Sequence, residues 1–256
     1  MSGLLEISHV SISFGGLKAL SDFNFSLEQS QLAGLIGPNG AGKTTAFNIV
    51  TGVYCPAAGQ IRLAGKRIDG EPPVKVNHAG IARTFQNIRL FQNLSVLDNV
   101  VAGFHQSARH GFLSTLTRSP GFFREEQVWR AQAMELLATF GLAEQCDSPA
   151  GGLPYGHQRR LEIARALATR PRILMLDEPA AGMNPQEKGD LMELIRRVRD
   201  QFKVGIWIIE HDMKLVMSIC ERITVLDHGE TIAVGTPGEI QNNPKVIAAY
   251  LGEPEN

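Results

Sequence analysis

Long apolar runs are missing from this 256-residue chain, and that absence sets the first limit on what it does. No stretch approaches the roughly 18 apolar residues that a membrane-spanning helix needs. The longest runs, such as 204–209, suit buried strands. The first residues, Met1-Ser2-Gly3-Leu4-Leu5-Glu6, have neither the basic segment nor the apolar core of a secretory leader. Any work at a membrane is therefore expected to come through a partner. Cysteine is scarce too. Cys55, Cys146 and Cys220 stand far apart and form no CxxC pair, which argues against a zinc or disulfide framework and suits a reducing compartment. Each is expected to act as a small buried hydrophobe. Nor does one sign of charge dominate. The 25 Lys and Arg against 26 Asp and Glu leave a net charge of -1, without the basic face that duplex nucleic acid favours, so no nucleic-acid partner is expected. Internal repeats and low-complexity tracts are absent as well.

What is present is ordinary globular composition, with 43% hydrophobic and 20% charged residues. Residues 4–14 and 23–27 alternate as strands of an antiparallel sheet, and 61–63 with Ile68 read as a hairpin punctuated by Gly65 and Gly70. Apolar runs at 32–36, 173–176, 204–209 and 223–226 read as buried strands, and 81–86 as another. Helices are expected at 94–104, with Ser95 as N-cap and Asp98 in its first turn, at 124–140 before Gly141, and at 161–169 before Pro171. Asn184-Pro185-Gln186-Glu187 and Thr236-Pro237-Gly238-Glu239 each open a helix with an N-cap, a proline and an acidic third residue. Strands and helices thus alternate around a mostly parallel sheet, interrupted by a helical middle.

Gly37-Pro38-Asn39-Gly40-Ala41-Gly42-Lys43-Thr44 matches GxxxxGK[ST] between an apolar strand and a helical pattern, with Thr45 following. Its glycines let backbone N–H groups face a β-phosphate, and the helix N-terminus adds positive potential. Lys43 is expected to reach the β- and γ-phosphates, and the Thr44 hydroxyl to ligate Mg²⁺. Residues 173–178 form a buried strand ending in two carboxylates. Asp177 is expected to hold the metal through water, and Glu178 to orient or deprotonate the attacking water. The fold expected is α/β: a RecA-like P-loop NTPase core with an antiparallel β subdomain and an inserted helical subdomain.

The residues that follow narrow the class. Leu153-Pro154-Tyr155-Gly156-His157-Gln158-Arg159-Arg160 resembles a degenerate form of the ABC signature, normally LSGGQ. Gln86 in Thr84-Phe85-Gln86 looks like the Q-loop glutamine, which in the family also contacts the metal. His211 looks like the switch histidine, 181–184 like the D-loop, and Phe14 like the aromatic that stacks on adenine. All stand in the family order, and the resemblance covers nearly the whole chain. The expected division is one ABC ATPase domain, with a core of 1–93 and 171–235, a helical signature subdomain of 94–170 and a tail of 236–256. Residues 47–52, the stretch 83–91 around Gln86, the ending Ala249-Tyr250-Leu251-Gly252-Glu253 and an extra stretch at 105–127 are together similar to the LivG-type ATPase of high-affinity branched-chain amino-acid importers.

That resemblance implies ATP and Mg²⁺ as ligands. It also implies two membrane permeases, a second ATPase subunit, an external solute-binding protein reached indirectly, and a peripheral position on the cytoplasmic face of the inner (plasma) membrane. In the family two ATPase domains close head to tail, each ATP lying between one chain's phosphate loop and the other chain's signature. Alternatives within the class are urea or amide importers and lipopolysaccharide extraction; outside it stands a non-transport ABC ATPase. Two departures count. Pro154 and Tyr155 replace the signature serine and glycine, and Asn184 replaces the D-loop aspartate. Asn184 has a sufficient role as N-cap, and the Arg159/Arg160 pair is expected to be a solvated helix face. The stretch 105–127, with Phe112, Leu113, Leu116, Phe122 and Phe123 among Arg109, Arg118 and Arg124, reads equally as a contact for permease or lipid and as a self-packed surface loop.

Overall fold

Three strands with every residue buried form the middle of one sheet: β3 (Leu32–Ile36), β7 (Ile173–Asp177) and β8 (Gly205–Ile209). Unbroken apolar runs of this kind suit a parallel sheet covered on both faces. The order is β10 (Glu230–Gly235), β9 (Arg222–Asp227), β3, β8, β7, β6 (Ile81–Arg83). Every pair is parallel except β10, which returns antiparallel on β9. A second sheet is wholly antiparallel, in the order β2 (Leu17–Leu27), β1 (Leu5–Phe14), β4 (Ala58–Leu63), β5 (Lys66–Arg67). In β1 the inward face passes from Leu5 and Ile7 to Val10 and Ile12. A period of two forbids that change without an extra residue, and His9, at φ 54, supplies it where the register shifts.

The structure is a computed structural model describing residues 3–107 and 120–251. Two compact units are distinguished, one drawn from the chain before Asn87 and after Pro171, the other from Asn87–Pro171. In the first, both sheets share a core with helix α1 (Lys43–Val50). Trp207 of β8 stacks on Phe25 of β2 at 4.1 Å between ring centroids and meets Phe47 of α1 at 4.7 Å. Those rings fix α1, and with it the loop that α1 follows, against the central strands. Helix α6 (Pro185–Phe202) begins with a full capping box, the Asn184 side chain accepting from the Glu187 N–H and the Glu187 side chain from the Asn184 N–H. A helix α8 (Pro237–Gln241) starts in the same way from Thr236, and α9 (Pro244–Leu251) follows it.

The second unit holds α3 (Val96–Phe104), α4 (Pro120–Thr139) and α5 (Tyr155–Ala168). Ser95 caps α3 as its sequence announces, accepting from the Asp98 N–H at 3.0 Å. Two helices differ in extent from the sequence reading: α4 begins at Pro120, and α5 begins at Tyr155, six residues early. Two short helices, α2 (Pro73–Ala79) and α7 (Met213–Ile219), and strand β10 were not expected. Most of the stretch 105–127, with the side chains of Arg109, Phe112, Leu113, Leu116, Arg118, Phe122 and Phe123, lies outside the described residues.

Candidate nucleotide site

The carboxyl ends of β3, β8, β7 and β6 lie in that order along the sheet. Each hands the chain to residues singled out above: the glycine loop after β3, His211 after β8, Asp177 and Glu178 at the end of β7, Gln86 three residues past β6. The space outside the carboxyl ends of parallel strands is where open α/β sheets bind ligands.

The loop's shape is set by close backbone approach. Gly37 and Gly42 have φ of 152° and 100°. A Cβ on Gly37 would stand 2.0 Å from the Leu226 carbonyl oxygen, and one on Gly42 2.5 Å from that of Ala19. Neither position accepts a side chain. Gly42 is also the N-cap of α1 and offers no capping side chain, so the first N–H groups of that helix stay directed at the loop. Lys43 is 8% exposed, and its Nζ donates to the carbonyls of Gly37 and Pro38, each at 2.8 Å. Burial pulls its pKa below the usual lysine value, against the opposing charges of Glu178 and Asp177. The loop, from Pro38 through Asn39, Gly40, Ala41, Gly42, Lys43, Thr44 and Thr45, walls a cavity of about 1060 Å³ together with Leu17–Ala19 and Glu178. Asp227, His228 and Ile232 complete another side, and Lys245, Ala248 and Ala249 of α9 a third. Phe14 stands outside that lining, exposed at the end of β1 and edge-on to Tyr54 at 5.0 Å.

Glu178, Gln86 and His211 come together. The Glu178 Oε2 accepts from Gln86 Nε2 at 3.0 Å and lies 3.7 Å from His211 Nδ1. Glu178 has φ 46°, a left-handed conformation, and its N–H donates to the Ile209 carbonyl at 2.9 Å. A non-glycine residue held there costs on the order of 1–3 kcal/mol and is retained where the surroundings impose it. Asp177 is buried, its Oδ2 accepting from Arg83 Nη2 at 2.7 Å. Among the described residues no three His, Cys, Asp or Glu side chains gather as a metal cage. The residues that could hold a hard cation beside bound phosphates are Thr44, Asp177 and Gln86.

The signature segment belongs to the second unit. Leu153 is buried, Pro154 is the N-cap of α5, and Tyr155, Gly156 and His157 form its first turn. His157 Nδ1 is 3.1 Å from Gln145 Oε1. Because the helix starts at Tyr155, the Tyr155 and Gly156 amides are the ones its geometry leaves without intrahelical acceptors. The expected solvated arginine face is wrong. Arg159 is fully buried, its Nη1 donating to Glu162 Oε2 at 2.7 Å and its Nη2 to the Tyr155 hydroxyl at 3.3 Å, while Arg160 is half-buried. Glu162 also accepts the Arg89 N–H at 3.1 Å. A carboxylate buried beneath the segment that follows Gln86 requires a cation beside it, and Arg159 provides that charge.

Three participants carried no assigned role in the sequence. Glu210 is 1% exposed and accepts from the Ala180 N–H at 2.9 Å and the His211 N–H at 3.2 Å, tying the segment after Glu178 to His211. Burial raises its pKa, against the pull of those two amides and the His211 charge. Arg83 meets Asp177, and α9 reaches the cavity. A lone charge within or ending a buried strand is a signal that it has a partner; nothing local marks α9.

A family model described as ABC transporter matches residues 20–181, and one described as Branched-chain amino acid ATP-binding cassette transporter matches residues 230–256. The chain is 49% identical over 250 residues, 98% of each protein, to the high-affinity branched-chain amino acid transport ATP-binding protein BraF of Pseudomonas aeruginosa. It is 46% identical, again over 98% of both, to the protein of that description named LivG in Escherichia coli. Among solved structures it resembles an ATP-binding cassette of an ABC transporter in its ADP conformation, with TM-score 0.85, 29% identity, and coverage of 99% of this chain and 100% of that one.

Proposed function

The chain belongs to the ABC transporter family of ATP-binding cassettes, and from that premise we propose that it hydrolyses ATP to power a high-affinity importer of branched-chain amino acids. The observation that carries the catalytic part is the convergence of Gln86 and His211 on Glu178 beside the phosphate loop. What supports the substrate is the near-full-length identity to LivG and BraF.

In this reading Lys43 leaves the Gly37 and Pro38 carbonyls for the β- and γ-phosphates, which offer it full charge instead of two dipoles. Loop amides from Asn39 to Thr45 line the phosphates, and Phe14 with Tyr54 offers an aromatic face to adenine. Thr44, Asp177 and Gln86 would hold Mg²⁺, which would supply neutralising charge on the phosphates. Glu178 takes the proton of the attacking water, with His211 and Gln86 next to the γ-phosphate. Phosphoryl transfer needs positioning and charge more than covalent help. No helix among the described residues is long and apolar enough to cross a membrane. On its likeness to BraF and LivG, the chain works with two permease subunits at the cytoplasmic face of the plasma membrane, beside a second ATPase and below an external binding protein. The test is uptake of labelled leucine by vesicles holding the reconstituted complex and its loaded binding protein. Uptake should require ATP on this chain's side and stop when the chain is omitted. Transport of an amide in place of leucine would reassign the substrate, and ATP-dependent leucine uptake without this chain would overturn the proposal.

Pro154 points to unequal sites. It lacks both a hydroxyl and an N–H, so this chain presents a partner's ATP with the Tyr155 and Gly156 amides and the positive end of α5 only. Losing one preorganised donor where charge develops costs about 10²–10³ in rate. A heterodimer with a second ATPase that has a full signature is thus expected to hydrolyse faster than the homodimer, and Pro154→Ser to raise homodimer turnover. Steady-state phosphate release at matched site concentration decides. Equal rates in both dimers, with Pro154→Ser silent, would show that the missing hydroxyl does not limit turnover.

A further inference from the structure

We propose that Arg83 is a positioning residue for hydrolysis: its guanidinium fixes the carboxylate of Asp177 and locks together the three segments that carry Lys43, Glu178 and Gln86. The inference rests on the reading of Asp177 given above.

Arg83 ends β6 and faces Met175 of β7 in the parallel ladder. Its side chain is 6% exposed. One end of the fork, Nη2, donates to Asp177 Oδ2 at 2.7 Å. The other, Nη1, donates to Asn48 Oδ1 at 2.7 Å and Thr51 Oγ1 at 3.3 Å, at the far end of the helix that Lys43 begins. The guanidinium lies over the Phe47 ring at 5.4 Å and the Phe85 ring at 5.1 Å, Phe85 being the neighbour of Gln86. One planar cation thus touches the phosphate-loop helix, the acidic strand and the approach to the Q-loop. Lysine, a point charge on a flexible stem, has no planar fork to reach these three acceptors on two sides while lying over two rings.

Stability alone is a weak reason for this arrangement. Buried ion pairs recover their desolvation cost only with good geometry, and apolar replacements of both partners are often neutral or better. Arg83 Nε, moreover, is buried with no hydrogen-bond partner, a cost that glue between two elements would not need. What the pair secures is direction. With Oδ2 occupied by the guanidinium, the Asp177 carboxylate has one rotamer, its second oxygen is left for the water-bound cation, and Glu178 next to it inherits the same anchor. Groups that orient a metal-side carboxylate cost about 10–100-fold in affinity or activity when removed.

The experiment uses the full chain with Arg83→Gln and Arg83→Lys, and Asp177→Asn as a check on the underlying reading. Turnover and KM for ATP are measured, with the circular dichroism and Tm of the nucleotide-free protein. In a Glu178→Gln background, expected to hydrolyse ATP about 10²–10⁴-fold more slowly, the Mg²⁺ dependence of the ATP-induced rise in Tm gives a midpoint read without turnover. Arg83→Gln should lower kcat about 10–100-fold with KM for ATP changed less than about threefold, and should raise the Mg²⁺ midpoint about tenfold. Arg83→Lys should fall between it and the wild type. A lowered Tm with kcat and the Mg²⁺ midpoint unmoved would overturn the proposal and leave Arg83 as packing. If Arg83→Gln does not fold, the midpoint of Arg83→Lys decides in the same way. An inactive Asp177→Asn beside wild-type Arg83 variants refutes only this inference, whereas a fully active Asp177→Asn refutes the reading of Asp177 with it.

Discussion

Glu178→Gln is expected to bind ATP as tightly as the wild type and to hydrolyse it about 10²–10⁴-fold more slowly, the range that a general base contributes. The substitution is nearly isosteric. A glutamine oxygen can still accept from Gln86 Nε2, now at 3.0 Å from Glu178, and the backbone at φ 46° with its N–H on Ile209 is untouched. Only the capacity to take a proton goes. Binding without turnover should make the ATP-closed dimer accumulate, seen by gel filtration with Mg-ATP as a shift to twice the mass. A monomeric variant with full activity would place the base elsewhere.

Lys43→Ala is expected to abolish hydrolysis, lowering turnover by at least about 10²–10³, the cost of removing one preorganised charge-stabilising donor. The loss falls on chemistry and not on folding. Helix α1 is held by Phe47, Ala46, Ile49 and Val50 in the core, and Lys43 contributes to its own loop only the two carbonyl contacts. The sequence suggested no second cation near the cradle. Lys18 and Lys245 do line the same cavity, but both are exposed, and an exposed, hydrated ammonium cannot replace one held against the loop's own carbonyls. Phosphate release and fluorescent-ATP binding, beside an unchanged circular dichroism spectrum, check this. Turnover near wild type would contradict the assigned role of the loop.

The sequence carried the parts whose physics is local. Unbroken apolar runs mark β3, β7 and β8 because a doubly covered strand has no polar face. Ser95, Asn184 and Thr236 mark helix starts because capping is a matter of three neighbouring residues. Gly37 and Gly42 stand where close approach forbids a side chain. Glu178 was marked by its buried strand end, and resemblance to the family's ordered motifs picked out Gln86 and His211, which meet it in space. What could not be read depends on distant pairing. Arg159 looks solvated until Glu162 and Tyr155 are seen around it, and α5 starts early, at Tyr155, with Pro154 as its N-cap. β10 alternates too weakly to announce itself and is defined by its ladder to β9. Arg83 with Asp177, separated by 94 positions, and α9 at the phosphate loop are products of topology alone.

The most direct measurement is a structure of Glu178→Gln with Mg-ATP. The triphosphate is expected in the loop from Gly37 to Thr44, with Lys43 Nζ moved from the Gly37 and Pro38 carbonyls onto the β- and γ-phosphates, and the side chain of residue 178 facing the γ-phosphate beside Gln86 and His211. Nucleotide bound elsewhere, or bound here with Lys43 still on its own loop, would contradict it.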